Sequence, residues 1–162
     1  MIKKKYEVSK ISGKLELDFM YGSPREINYK PYPVNYGMIP NTVLPLNRGG
    51  DGDPLDVLIL GEKINKGEIV NFLPVGIIQM IDEGQRDDKI IGFKIEDKKN
   101  INLSENNIFL EKSKKIQEIK SWFENYKGIG IIEVIDFKNA NEAMDLITKA
   151  NKFYKKSGVK KF

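Results

Sequence analysis

The sequence predicts an α+β fold with a β-dominated core. Three observations predict it. Strand-like runs bounded by turn residues fill the first two thirds of the chain. A helical period then appears twice in the last third, separated by one more strand-like run. The 162 residues, 40% apolar and 31% charged and without an internal repeat, suit one globular domain spanning residues 1–162.

The elements follow in order. "KKKYEVSK" and "GKLELDF" alternate on either side of a Ser12-Gly13 turn and read as a hairpin. "LDVLIL" is a short buried run. "EIVNFLPVGIIQMID" is long and β-rich, with Pro74-Val75-Gly76 marking a bend or bulge. "DKIIGFKI" follows a tight polar loop. In "KSKKIQEIKSWFENYK", Ile116, Ile119, Phe123 and Tyr126 share one helical face. "GIIEVIDF" returns to strand. In "NANEAMDLITKANKFYKK", Ala143, Ile147, Ala150 and Tyr154 share a face, with Asn139 or Asn141 as the N-cap. Residues 156–162 read as a frayed tail. The sum is a strongly curved, largely antiparallel sheet or small barrel with two flanking helices.

Composition narrows the chemistry. Cysteine and histidine are both absent. Disulfides, thiolate metal sites, a Ser-His-Asp triad and a histidine general base are therefore excluded. Catalysis here must use Asp, Glu, Lys, Arg and Tyr, with or without a hard metal. The net charge of +4 is carried almost wholly by lysine, the only arginines being Arg25, Arg48 and Arg86. No 18-residue apolar run is present, and "MIKKKYEVSK" has no apolar segment of a signal peptide. These features place the chain in the cytoplasm, off the membrane.

The segment "GGDGDPLDVLIL" crowds Asp51, Asp53 and Asp56 into six residues at the mouth of a strand. An Asx-type turn accounts for one or two of these aspartates. An EF-hand loop counted from Asp51 puts Asp53 at position 3 and Glu62 at position 12, but the obligatory glycine at position 6 is Asp56. The remaining reading is a Mg²⁺ site, since carboxylates and water are what a hard cation takes. Like charges at this density repel strongly unless a cation sits among them. Gly49, Gly50 and Gly52 permit a loop that folds the three around one point. A second acidic loop, "MIDEGQRDDK", offers Asp82, Glu83, Asp87 and Asp88 just before Lys89. Two acidic loops joined to buried strands read as two walls of one site. Glu83 reads as a turn residue and Asp88 as a solvated neighbour of Asp87.

"DGDPLDV" matches the D-x-D-P-x-D-V signature of the family I soluble inorganic pyrophosphatases of prokaryotic type. "YPVNYGMIP" resembles that family's Tyr-Pro-x-Asn-Tyr-Gly segment. "PVGIIQMIDEGQRDDK" is similar to the stretch with its second aspartate group and lysine. "FENYK" resembles its C-terminal Tyr-Lys pair, and "KYEVSKISG" its N-terminal hairpin. The five segments occur in the family's order from residue 5 to about residue 155.

The resemblance implies a distorted five-stranded OB-like barrel with two helices. It implies hydrolysis of pyrophosphate to two phosphates by attack of a metal-activated water, with three or four Mg²⁺ ions, or Mn²⁺ in their place. Carried over by position, Asp51, Asp56 and Asp87 hold the first metals and Asp82 with Asp87 a further one. Glu7 supports a metal. Asp53 is the general base, and Tyr36 sits beside it. Lys5, Lys89, Tyr126 and Lys127 contact the phosphates. The implied assembly is a hexamer, with no nucleic-acid partner.

The chain departs from the pattern twice. The family carries a further strand and a metal-binding glutamate ahead of the Lys-Tyr-Glu segment; four residues precede Lys5 in this sequence, which leaves the fourth ion open between a naturally short member and a sequence that starts late. The family's phosphate-binding arginine follows the aspartate of the second hairpin strand, whereas Phe19 follows Asp18. Extra residues, "GSPREINYK", come next, and Arg25 within them is the substitute, ahead of Lys30.

Two other classes use some of these features. An aspartyl-phosphate phosphatase also has an Asp-x-Asp pair, but after its apolar strand; here the strand comes second. An OB-type module that binds nucleic acid or another anion suits the barrel and the charge. It lacks the alternation of aromatic and basic residues on one sheet face that stacking requires.

Overall fold

A computed structural model describes residues 3–9, 12, 14–27, 29–95 and 113–158. Gly13 of the expected turn and residues 159–162 of the expected tail lie outside them.

The strands are β1 (Lys3–Lys4), β2 (Tyr6–Val8), β3 (Leu15–Leu17), β4 (Phe19–Met20), β5 (Ser23–Pro24), β6 (Glu26–Ile27), β7 (Asn35–Met38), β8 (Asp56–Leu60), β9 (Phe72–Asp82), β10 (Gln85–Arg86), β11 (Lys89–Lys94) and β12 (Ile132–Asn139). The helices are α1 (Lys114–Tyr126) and α2 (Ala140–Ser157). The main sheet runs β7-β8-β11-β9-β12, and β10 folds back on the end of β9. Most pairings are antiparallel as expected. The exception is β8 with β11, which run parallel from Asp56 opposite Lys89 to Leu60 opposite Phe93. Among the described residues no ladder joins β7 to β12, so backbone pairing does not itself close the sheet.

After Asp56, β8 is apolar to its end because both of its faces are covered. Leu58 and Leu60 join Ile78, Met80 and Ile91 against Ile116, Ile119 and Phe123 of α1. Val57 and Ile59 join Ile77 and Ile90 against Ala143 and Ala150 of α2. Each fully buried Leu or Ile contributes about 1.5–3 kcal/mol of transfer free energy, so these two layers dominate the stability. The bulge expected near Pro74-Val75-Gly76 is present: Ile91 faces Gly76 and Gly92 faces Pro74, leaving Val75 as the extra residue. A Cβ on Gly92 would meet Phe72 Cδ2 at 2.5 Å and the Leu73 carbonyl at 2.8 Å, so the bulge requires glycine there.

α1 starts at Ser113, whose side chain accepts from the Ile116 N–H. α2 starts at Asn139 with a full capping box to Glu142. It runs through Lys156 and Ser157, which the sequence reading placed in a frayed tail, and ends only at the left-handed Gly158. No described helix is long and apolar enough to cross a membrane.

The N-terminal hairpin pairs β2 with β3, Glu7 lying opposite Glu16. The extra segment after Asp18 forms a second hairpin, β4–β5, turning at Tyr21-Gly22 with both residues at positive φ. The hairpin returns Arg25 to a place beside Asp18. The Arg25 N–H donates to the Asp18 carbonyl at 2.8 Å, and the Lys5 N–H donates to the Arg25 carbonyl at 2.8 Å.

Candidate active site

The parallel pairing of β8 and β11 sets Asp56 and Lys89 side by side at the first residue of each strand. Lys89 is 3% exposed. Its Nζ donates to Asp56 Oδ2 at 2.6 Å and to Asp87 Oδ1 at 2.5 Å. From β7, the Tyr36 hydroxyl donates to the same Asp56 oxygen at 2.7 Å. Burial works against the Lys89 charge, but the Asp56 and Asp87 carboxylates outweigh it and hold the ammonium above its ordinary pKa. Burial raises the Asp87 carboxyl; Lys89 opposes that rise, while the charges of Asp56 and Asp82 add to it. Burial and the Asp56 charge push the Tyr36 phenol well above its usual value, so it stays a donor.

Asp82 ends β9 and lies across from this group. Its Oδ2 accepts from Lys127 Nζ at 2.6 Å, while its Oδ1 is buried with no partner among the described residues. Lys127 caps α1 and Tyr126 is the helix's last residue. Burial, then the Asp82 charge, pushes the Tyr126 phenol up to about 12.

The Asp51–Asp53 loop is built differently. The Thr42 hydroxyl accepts from the Leu55 N–H at 3.0 Å and fixes the loop's exit. The Gly52 N–H donates to the Leu44 carbonyl at 3.0 Å. A Cβ on Gly50 would collide with that carbonyl, so glycine is obligatory. Asp51 Oδ1 accepts from the Asp53 N–H at 2.9 Å. The Asx turn weighed from the sequence is therefore real, and it is made by the Asp51 side chain and the Asp53 backbone rather than by the Asp53 carboxylate.

A fourth group forms at the hairpins. Lys5 Nζ lies 2.8 Å from Glu7 and 3.3 Å from Asp18, and Arg25 Nη1 lies 3.5 Å from the same Asp18 oxygen. Asp18 thus holds two of the expected phosphate ligands, a role its place in the sequence did not signal. Asp88 is also more than a solvated neighbour. Its Oδ1 accepts from Arg86 Nε at 2.6 Å and from the Met80 N–H at 3.3 Å, tying the turn to β9. Glu83 occupies the expected turn, at φ 49°.

Of the expected site residues, the structure brings Asp56, Asp87, Lys89 and Tyr36 into direct contact, pairs Asp82 with Lys127, and pairs Lys5 with Glu7. Lysine ammonium groups stand between the carboxylates. Among the described residues no three carboxylates close on a single point that would hold an ion. Tyr32 and Trp122, to which the sequence reading assigned no role, build an aromatic wall beside the cluster: Tyr32 packs against Tyr36 at 4.8 Å and Trp122 at 4.5 Å between ring centroids. The crowding of Tyr29, Tyr32 and Tyr36, and the helical spacing of Trp122 and Tyr126, were its visible signals.

A β-dominated core with carboxylates, lysines and phenols gathered at strand ends suits the binding of a phosphate-rich anion. The family model described as inorganic pyrophosphatase matches residues 1–155. The inorganic pyrophosphatase of Helicobacter pylori is 34% identical over 155 residues, covering 93% of this chain and 83% of that protein. The one from Xylella fastidiosa is 32% identical over 155 residues, with 93% and 82% covered. The solved Helicobacter pylori enzyme superposes with a TM-score of 0.69 over 94% of this chain and 86% of its own. The Thermus thermophilus structure, 29% identical, gives 0.71 over 94% and 84%. This chain belongs to the inorganic pyrophosphatase family.

Proposed function

We propose that the chain, acting as one domain, hydrolyses inorganic pyrophosphate to two phosphates with Mg²⁺ as cofactor. The observation that carries this reading is the buried Lys89 ammonium held between Asp56 and Asp87 at the strand ends. The donor set fits a hard divalent ion. It is all oxygen, Asp82 Oδ1 is a buried acceptor without a partner among the described residues, and the charges of Asp56 and Asp82 both act on Asp87. Asp51, Asp56, Asp82 and Asp87, with Glu7 in support, would hold three or four ions. When bound, Mg²⁺ neutralises the diphosphate and acidifies the attacking water.

The chain's own residues do the rest. Lys5, Arg25, Lys89, Tyr126 and Lys127 bind and orient the phosphates and offset charge on the leaving group. The Asp53 carboxylate takes a proton from the water as its oxygen bonds to phosphorus and the bridging P–O bond breaks. Tyr36 orients Asp56 through its hydroxyl. The cytoplasmic setting and the hexamer belong to the same reading.

Phosphate release from pyrophosphate is the direct test. We expect fast release with Mg²⁺ and a fall of at least about 100-fold on chelation. No release with Mg²⁺ or Mn²⁺ would overturn the reading.

Arg25 has its own test. The β4–β5 hairpin sets it beside Asp18, which supports a role for it in place of the arginine that Phe19 displaces. Arg25→Ala should raise KM for pyrophosphate by about 10-fold, the loss of one charge-assisted hydrogen bond. Unchanged kcat and KM would remove it from the site.

A further inference from the structure

The segment that departs from the family pattern carries a second feature besides Arg25. Tyr29 lies in that segment, and its ring sits against the end of α1. Its centroid is 5.1 Å from that of Tyr126 at 74°, and 6.0 Å from that of Trp122 at 80°. Both contacts are edge-to-face, the favoured geometry for ring pairs. Trp122 and Tyr126, one helical turn apart, stack at 4.3 Å with 13° between their planes. The Tyr126 ring is therefore held on one side by its own helix and on another by the inserted loop. Tyr29 also meets Tyr32 edge-on, at 6.1 Å between ring centroids and 71°, and Tyr32 packs in turn against Tyr36 and Trp122.

The position of Tyr126 makes this clamp consequential. It is the last residue of α1, where helices fray, and the glycine at position 128 follows one residue beyond the cap. Lys127 pairs with Asp82 directly, and the Asp82 charge reaches the Tyr126 phenol beside it. Loosening the helix end would displace two phosphate-binding groups together. Trp122 Nε1 has no hydrogen-bond partner among the described residues, so ring packing rather than a polar contact fixes the indole.

We propose that Tyr29 is a positioning residue: its ring clamps the Trp122–Tyr126 stack and so sets Tyr126 and Lys127 for binding of the substrate's phosphates. The proposal rests on the pyrophosphatase reading and deepens it. It makes the inserted loop a determinant of substrate affinity that members without the insertion do not have.

Trp122 is the only tryptophan in the chain, so its fluorescence reports the stack itself. Three proteins are compared, the wild type, Tyr29→Leu and Tyr29→Phe, each checked by its unfolding midpoint. Tyr29→Leu should raise KM for pyrophosphate by about 10-fold while kcat changes by less than about threefold, the split that marks lost uniform binding. The affinity for imidodiphosphate, a diphosphate analogue with a nitrogen bridge, should fall by the same factor when read from Trp122 emission. Acrylamide quenching of Trp122 in the ligand-free protein should rise at least about twofold as the helix end loosens. Tyr29→Phe keeps the ring and should restore all three readouts to within about twofold of wild type. A folded Tyr29→Leu with unchanged KM, or with unchanged Trp122 quenching, would overturn the clamp. A wild type that releases no phosphate would instead overturn the functional reading, and the quenching arm would still decide whether Tyr29 holds the stack.

Discussion

Asp53→Asn is expected to lower kcat by about 100-fold or more, the usual contribution of a positioned general base. The local structure makes this a clean substitution. The Asx turn of the loop is made by the Asp51 side chain and the Asp53 backbone N–H, so the Asp53 carboxylate is not part of it. Asparagine has the same shape and keeps one carbonyl acceptor, but it takes up no proton. Stability should therefore stay within about 0.5 kcal/mol of wild type by denaturant unfolding. The rate deficit should narrow as pH rises, because hydroxide needs no base. Asp51→Asn is the informative control. It keeps the turn acceptor but removes a charge assigned to the metal, so its loss should be recovered in part by raising Mg²⁺, and that of Asp53→Asn should not. A kcat for Asp53→Asn within about threefold of wild type would assign the base elsewhere.

The fold was legible where periodicity was strong. The runs that became β8, β9 and β11 stood out as apolar stretches, and the buried faces of α1 and α2 include Ile116, Ile119 and Phe123, and Ala143, Ala150 and Tyr154, as the helical spacing implied. The Val75 bulge was signalled by Pro74 and Gly76. Partnership between strands was not legible. Period tells a residue which side of a strand it takes, not which strand lies next to it, so the parallel pairing of β8 with β11 had no local signature. That pairing is what sets Asp56 opposite Lys89. The site's residue types were therefore readable, while the ammonium bridge between Asp56 and Asp87 was not. The β4–β5 hairpin was missed because its strands are two residues each, too short for any alternation to show. Asp18 was missed for the same reason: its neighbours Lys5 and Arg25 reach it only through backbone pairing across three segments.

Lys89→Met should be the most destabilising substitution in the site and should also reduce kcat/KM by about 100-fold, through loss of a cation facing the leaving phosphate. The stability argument starts from geometry. The ammonium is 3% exposed and has two carboxylate partners within 2.6 Å. Methionine fills the aliphatic volume but leaves Asp56 and Asp87 facing each other with no charge between them. Breaking a buried pair from one side costs about 3–5 kcal/mol, and because both carboxylates remain partly exposed we expect about 3 kcal/mol. For a domain of this size that is a fall in Tm of roughly 6–12 °C. The pH dependence has a defined sign. Asp87 already titrates above its ordinary value in the folded protein, so folding binds its proton more tightly than the unfolded chain does. Its stabilising contribution is present at low pH and lost as pH rises through the folded value. Removing Lys89 raises that value further. The Tm deficit of Lys89→Met should therefore be small in acid, grow toward neutral pH, and shrink again when Mg²⁺ is added, since an ion that binds only the folded site stabilises by linkage. Calorimetry at two pH values, each with and without Mg²⁺, reads all three effects. A deficit that is the same at both pH values would mean that lost packing, and not the unpaired carboxylates, accounts for it. A deficit that Mg²⁺ leaves unchanged would mean that the ion and the ammonium do not answer to the same charges, and the assignment of Asp56 and Asp87 as metal ligands would fall with it.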